Sequence, residues 1–220
     1  MMSDAATVVD LAFPVHGDAI PIDHGYVLFA SLSRQLDGSH LPAGWGVHPV
    51  RGIRSGRAML GLDRSSRIKV RMPAAEIVTA LPLTGATLDV DGHSVSLGPP
   101  RVLPLEPAAV LVARFVTIKG FADAPAAFTA AVHRQLARME GIDQPVDGIT
   151  VVVGRRRTIR VAAHVIVGFA VGLEGLTARS SLAVQRVGLG GRRHMGAGLF
   201  VPRGKAVHVQ VTEPHAQGGT

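Results

Sequence analysis

The sequence predicts an α+β protein built from two successive βαββαβ units. Three observations lead there. Strand-like and helix-like hydrophobic periods follow one another in the same order twice along the chain. A proline-rich stretch at 98–107 separates the two runs. The chain has 220 residues, 47% of them hydrophobic, with a mean hydropathy of +0.29, which is enough apolar material for one large core or two small ones.

Residues 7–15 are apolar and β-branched, end near Pro14 and Gly17, and read as a strand. Asp23 is placed to cap the helix that follows, in which Tyr26, Phe29, Leu32 and Leu36 recur at helical spacing. Residues 44–50 return to an extended pattern, and 67–72 alternate Ile68 and Val70 against Arg67, Lys69 and Arg71. Pro73 opens a short helix carrying Ile77, Val78 and Leu81, and 88–97, turning at Asp91 and Gly92, complete the first unit.

The second unit repeats the order. Residues 110–119 form a strand, and 124–139 a helix with Phe128, Val132, Leu136 and Met139 on one face. Residues 149–153 and 157–172 supply a strand and hairpin, with Arg155, Arg156 and Arg157 where the chain is expected to turn. Thr177 caps a helix reaching Arg186; 188–198 are glycine-rich, and 199–201 resume as a strand. Two such units imply tandem ferredoxin-like, RRM-like domains at 1–97 and 108–212, with a linker at 98–107 and a tail at 213–220.

The charge balance narrows the partner. The net charge is +7, the pI about 11.1, and of 23 basic residues only Lys69, Lys119 and Lys205 are lysine. Arginine forks bind phosphate in bidentate fashion and stack on bases, so this bias favours a nucleic-acid partner. There are no cysteines, which excludes disulfides, thiolate metal sites and cysteine nucleophiles. No apolar run has membrane-spanning length and no secretory leader pattern is visible, so a cytoplasmic location with no membrane partner is expected.

Residues 188–198 (GLGGRRHMGAG) are the most informative segment. Gly190, Gly191 and Gly196 let backbone approach a ligand and turn N–H groups towards phosphate oxygens, while Arg192, Arg193 and His194 add donors and charge. A nucleotide P-loop does not fit, because the order is helix, loop, strand and no Gly-Lys-Ser/Thr follows. Other basic groups are Arg51, Arg54 and Arg57; Arg64, Arg67, Lys69 and Arg71; and Arg155, Arg156, Arg157 and Arg160. The first expectation for Arg51, Arg67, Lys69, Arg71 and Arg155 to Arg157 is RNA contact, with a solvated loop the alternative at Arg155 to Arg157. Aromatics are scarce and no pair stands where an RRM stacks bases, so recognition should run through the shape and phosphates of a stem or hairpin.

For chemistry the histidines matter most. No His pair has i, i+2 or i, i+4 spacing, and no carboxylate pair is arranged as in a metal nuclease, so no metal is expected. An imidazole near neutral pKa suits deprotonation of a ribose 2′-hydroxyl or protonation of a leaving 5′-oxygen. RNA supplies its own nucleophile, so a base, an acid and cations on the phosphate suffice.

The stretches FPVHG at 13–17, PIDHGY at 21–26, VHPVRG at 47–52, VTIKGF at 116–121 and GLGGRRHMG at 188–196 together resemble the CRISPR repeat-processing endoribonucleases of the Cas-six family. Their nearest likeness is to the branch found in MYXAN-type type I systems. The resemblance runs from about Val9 to Arg203. It implies tandem ferredoxin-like domains, no cofactor, and metal-independent cleavage of CRISPR repeat RNA by 2′-hydroxyl attack, leaving a 2′,3′-cyclic phosphate. It also implies a stem or hairpin of repeat RNA as partner, with other interference-complex subunits as further candidates. The family's proton-transfer histidine lies within or just after the first helix, which singles out His40 and His24. Tyr26 stands nearby as an aid to substrate orientation. For His40 the alternative is a solvent-exposed loop histidine and for His24 capping or packing; His48, in a strand, reads as structural. A non-catalytic subunit holding guide RNA needs the same loop but no competent histidine, and a metabolite-binding protein of this fold would lack tight RNA binding.

Overall fold

The computed structural model describes residues 7–36, 40–56, 58–121 and 124–205. The tail expected at 213–220 and Arg57 lie outside them. In the N-terminal half, β1 (Val8–His16) is followed by β2 (Ala19–Pro21), α1 (Gly25–Gln35), β3 (Gly46–Val47), β4 (Ile53–Ser55), β5 (Met59–Gly61) and β6 (Arg67–Pro73). Then come the short α2 (Ile77–Ala80), β7 (Thr87–Val90), β8 (His93–Leu97) and β9 (Arg101–Pro104). The sheet runs β3-β6-β1-β8-β7, with β9 also on β1. The first strand therefore lies between the third and last strands of the βαββαβ unit, which is the ferredoxin-like order.

The C-terminal half repeats this with β10 (Val110–Val116), α3 (Pro125–Ala137), β11 (Thr150–Val161), β12 (His164–Glu174), α4 (Ala178–Val187) and β13 (Val201–Pro202), ordered β11-β12-β10-β13. All its pairings are antiparallel. Each half has its own apolar cluster, one around Leu11, Phe13, Leu28, Leu32, Trp45 and Ile68, the other around Leu111, Phe128, Val132, Leu136, Phe169 and Phe200. Among the described residues no helix is long and apolar enough to cross a membrane.

Several local expectations are corrected. β2, β4 and β5 form a separate three-stranded sheet, Ala19 pairing with Gly61 and Ile53 with the same Gly61. Part of the stretch expected as a linker is β9, which pairs with β1 from Val9–Pro104 to Ala12–Arg101 and so belongs to the N-terminal sheet. The inner line of α1 is Leu28 and Leu32, with Phe29 and Leu36 at its margin and Tyr26 half-buried. In α2 and its flanking turns Val78 is 74% exposed, and Ala80 and Leu83 fill the core instead.

Arg155, Arg156 and Arg157 are not a turn. They sit inside β11, beside a register shift between Val153 and Arg156, and the hairpin reverses at Ala162 and Ala163. The extra backbone of a bulge changes which side chains share a face, and this sends Arg157 inwards while Arg155 and Arg156 stay exposed.

The largest correction is Arg71, expected on the RNA-facing side of β6. It is 1% exposed and all of its direction is spent inside the protein. Its Nε and Nη2 donate to the two Asp10 oxygens at 2.7 and 3.0 Å, and its Nη1 donates to the Gln185 and Phe200 carbonyls at 2.9 and 2.8 Å. Gln185 lies in the last turn of α4, where carbonyls lack helical partners and the dipole favours a cation. One arginine thus fastens β1 to the C-terminal half. Arg71 is a pin between the halves, not an RNA contact.

His48 completes this network, its Nε2 donating to Asp10 Oδ1 at 3.1 Å. Burial pushes the His48 imidazole down to about 4, so it is neutral at pH 7. Burial would raise the Asp10 carboxyl, but His48 and the bidentate Arg71 outweigh it and hold it well below the usual carboxylate range. Both shifts are downward, so the native state binds fewer protons than the unfolded chain as pH falls. Stability should therefore decline from about pH 6.5 to 4 through His48, by about 3 kcal/mol at most, and further below the ordinary aspartate range through Asp10. Thermal melts across pH 7 to 4 read this directly, and a His48→Gln variant should show a flatter decline over that window.

Candidate active site

The glycine-rich loop leaves α4 at Gly188 and threads back over the N-terminal half. Its glycines serve backbone proximity. Gly190 has φ +73°, and a Cβ there would run into the Thr117 carbonyl oxygen; Gly196 has φ +83° and lies against Pro49. Most loop N–H groups expected to meet phosphate are already spent within the protein. Gly190 N donates to Gln135 Oε1 at 2.8 Å, Gly191 N to the Thr117 carbonyl at 3.1 Å, and Gly196 N to the Arg193 carbonyl at 3.1 Å. The loop is a built platform rather than an open cradle of amides.

Arg193 follows the same logic. Its Nη1 donates to the Val187 carbonyl at 2.6 Å, another free carbonyl at the end of α4. Burial, with repulsion from Arg71, pushes its guanidinium below the usual arginine range, and its Nε and Nη2 are buried without hydrogen-bond partners. Arg192 differs: it is exposed, takes left-handed backbone at φ +66°, and its carbonyl accepts from Met195 N and Ala197 N. The loop therefore presents Arg192 and holds Arg193 in.

His24 is the N-cap of α1, where Asp23 was expected, and its side chain makes no capping bond. It is 2% exposed and both ring nitrogens are occupied: Nδ1 donates to the Pro21 carbonyl at 2.9 Å and Nε2 accepts from Val50 N at 2.9 Å. Burial, only partly opposed by the Pro21 bond, lowers its pKa. In this arrangement both ring nitrogens of His24 are engaged within the protein, and the ring is a strut between α1 and the chain after β3. Asp23 instead accepts from the Arg160 backbone N–H at 2.8 Å, tying the start of α1 to β11.

His40 is exposed just beyond α1. Its ring meets Phe29 edge-on at 6.3 Å, and His194 from the loop stacks on the same Phe29 at 5.5 Å and 4°. His40, Phe29 and His194 thus form one group across the two halves. Tyr26, one turn earlier on α1, is half-buried.

A cleft of about 430 Å³ opens between the halves, lined by Asp23, His24, Arg54, Arg114, Arg157 and the loop's Met195 and Gly196, among others. Burial and then Arg157 lower the Arg114 pKa, with Asp23 opposing, and the Arg157 Nε is buried without a partner. Arg54, Arg114 and Arg157 line the cleft with Asp23, which leaves net positive charge for an anion such as a phosphate. Sequence reasoning singled out Arg157 but missed Arg54 as a site residue and Arg114 altogether; a lone arginine in the apolar run VLVARFV was the available signal. Of the remaining expected contacts, Arg51 is exposed and Lys69 half-buried, while Arg67 folds back to donate to the Arg64 and Ser66 carbonyls, both at 2.7 Å. Among the described residues no group of three or more His, Asp or Glu is close enough to hold a metal ion.

The family model described as Cas6 Crispr matches residues 9–205. The chain belongs to the Cas6 family. It is 46% identical over 202 residues to the CRISPR-associated endonuclease Cas6 of Myxococcus xanthus (strain DK1622), covering 92% of this chain and 84% of that one. Among solved structures it resembles a CRISPR associated protein Cas6 with a TM-score of 0.63 at 12% identity, over 89% of this chain and 99% of the other. It also resembles a Cas6-related gene product from Pyrococcus furiosus with a TM-score of 0.60 at 12% identity, over 89% and 98% of the two chains. At that identity these structures establish the fold, and the tandem ferredoxin-like architecture of Cas6 is the one seen here.

Proposed function

We propose that this Cas6 protein binds a hairpin or stem of CRISPR repeat RNA and cuts it without a metal ion, using the ribose 2′-hydroxyl beside the scissile phosphate as nucleophile. The observation that carries this reading is an exposed histidine, His40, that shares Phe29 with His194 of the glycine-rich loop, in a protein whose two halves also enclose an arginine-lined cleft. The 2′-oxygen forms a bond to phosphorus, the bond from phosphorus to the 5′-oxygen breaks, and the products are a 2′,3′-cyclic phosphate and a 5′-hydroxyl. One proton leaves the 2′-oxygen and one reaches the 5′-oxygen. His40, open to solvent, exchanges protons with the reacting ribose phosphate, a role for which an imidazole is suited at neutral pH. Exposed Arg51, Arg155, Arg156 and Arg192 and the cleft arginines Arg54, Arg114 and Arg157 neutralise backbone charge. Tyr26, half-buried near the start of α1, orients substrate.

Support also comes from the relative of almost half identity that is named an endonuclease. The test is single-turnover cleavage of a structured repeat RNA by the purified protein with excess EDTA. Cleavage at the same rate as with divalent metal is expected, and strict dependence on added metal overturns the mechanism. Tight binding with no cleavage under either condition assigns the chain a purely RNA-holding role instead.

A further inference from the structure

His194 is half-buried, is 154 residues from His40 along the chain, and is used by nothing in the mechanism above. Its surroundings are nevertheless specific. One face of its ring lies parallel to Phe29 at 5.5 Å, inside the range in which aromatic rings attract. Its Nε2 donates to the Pro42 carbonyl at 3.2 Å, and the same carbonyl accepts from Trp45 N at 3.2 Å. Leu41 and Trp45 are 3% and 0% exposed, so the chain just after His40 is pinned on both sides of Pro42. His40 itself rests on the edge of Phe29.

The loop cannot shift freely beneath this contact. The Met195 carbonyl oxygen would be 2.5 Å from any Cβ at Gly25, and Gly196 abuts Pro49, so the loop is seated on the start of α1 and on the chain after β3. The residue between these supports and Arg193 is His194, whose side chain joins the loop to the His40 segment at Pro42.

We propose that His194 is the positioning residue for His40: by stacking on Phe29 and holding the Pro42 carbonyl, it seats the His40 segment against the glycine-rich loop. The inference rests on the assignment of proton transfer to His40. It links the RNA-facing loop to the reacting histidine, so that the loop from the C-terminal half sets the geometry of a group carried by the N-terminal half. Burial lowers the His194 pKa, as do Arg193 and His40, with the Pro42 bond opposing; a neutral ring keeps the Nε2 donor while adding no charge beside His40.

The experiment compares H194A, H194Q, H40A and the H40A/H194A double variant in single-turnover cleavage of repeat hairpin, with hairpin Kd and Tm measured for each. H194A should slow cleavage by about 10- to 100-fold at unchanged Kd, the cost of a small misplacement of a reacting group. H194Q, whose amide can donate to the Pro42 carbonyl, should restore most of that rate. The double variant should be no slower than H40A, because His194 acts through His40. If H194A does not fold, H194F, which keeps the ring contact and removes the donor, takes its place. With a slow H40A, a wild-type rate in H194A, full additivity in the double variant, or a weakened Kd at unchanged rate each overturns the positioning role alone. A wild-type rate in H40A overturns the assignment of His40 itself and the inference with it.

Discussion

Replacing His40 with Ala should lower single-turnover cleavage of a repeat hairpin by about 10²–10⁴-fold, the range expected for loss of a proton-transfer group. Hairpin affinity should stay close to wild type, because His40 is one exposed imidazole among many cationic contacts to the stem. His24→Gln is the informative companion. The His24 ring bridges the Pro21 carbonyl and Val50 N, so its loss should appear as a lower Tm before it appears as a slower chemical step. A His24 variant that melts like wild type yet cuts as slowly as H40A would return the reacting proton to the start of α1.

The second large effect falls on folding. Arg71→Leu leaves Asp10 as a buried carboxylate without its bidentate partner and strips the Gln185 and Phe200 carbonyls of their donor. Breaking a buried pair from one side costs about 3–5 kcal/mol, a large share of the stability of an ordinary domain. Denaturant unfolding of the variant should show a midpoint far below wild type, or no native baseline. A combined Asp10→Leu and Arg71→Leu change removes the orphaned charge as well and should recover part of the loss. If Arg71→Leu instead melts normally and only RNA affinity drops, the arginine faces RNA as its strand position first suggested.

That contrast shows how much of the fold was legible in the residues. Both βαββαβ units were readable because their strands and helices carry their own periods: the β1 run around Val9, Leu11 and Phe13 and the α3 face of Phe128, Val132 and Leu136 are buried as their spacing requires. The three-stranded sheet of β2, β4 and β5 was not readable, since three-residue strands are too short to show a period. Arg67, Lys69 and Arg71 do share a strand side, but what covers that side at Arg71 is α4 and the chain before β13, more than a hundred residues away. Alternation reports which residues share a face and cannot report what packs on it.

The site divides in the same way. The glycine-rich loop stood out because its local composition carries the signal, and His40 was singled out by the resemblance to the Cas-six family. His24 looked equivalent to His40 until Val50 N and the Pro21 carbonyl were seen on its two nitrogens. The loop glycines were read as amides for phosphate, whereas the partners of Gly190 and Gly191, Gln135 and Thr117, come from α3 and the chain after β10. Arg114 became part of a cleft only once β10 and the start of α1 were seen to line the same opening.

The nucleophile can be tested with a single atom. A repeat hairpin carrying one 2′-deoxyribose at the nucleotide before the cut keeps every phosphate contact and lacks only the attacking oxygen. In EDTA, with protein in excess, the all-ribose hairpin should be cut to a 2′,3′-cyclic phosphate, while the deoxy-substituted hairpin should bind with the same Kd and remain whole. Cleavage of the deoxy-substituted hairpin at the same position, or 3′-hydroxyl ends on the all-ribose product, would contradict attack by the 2′-hydroxyl.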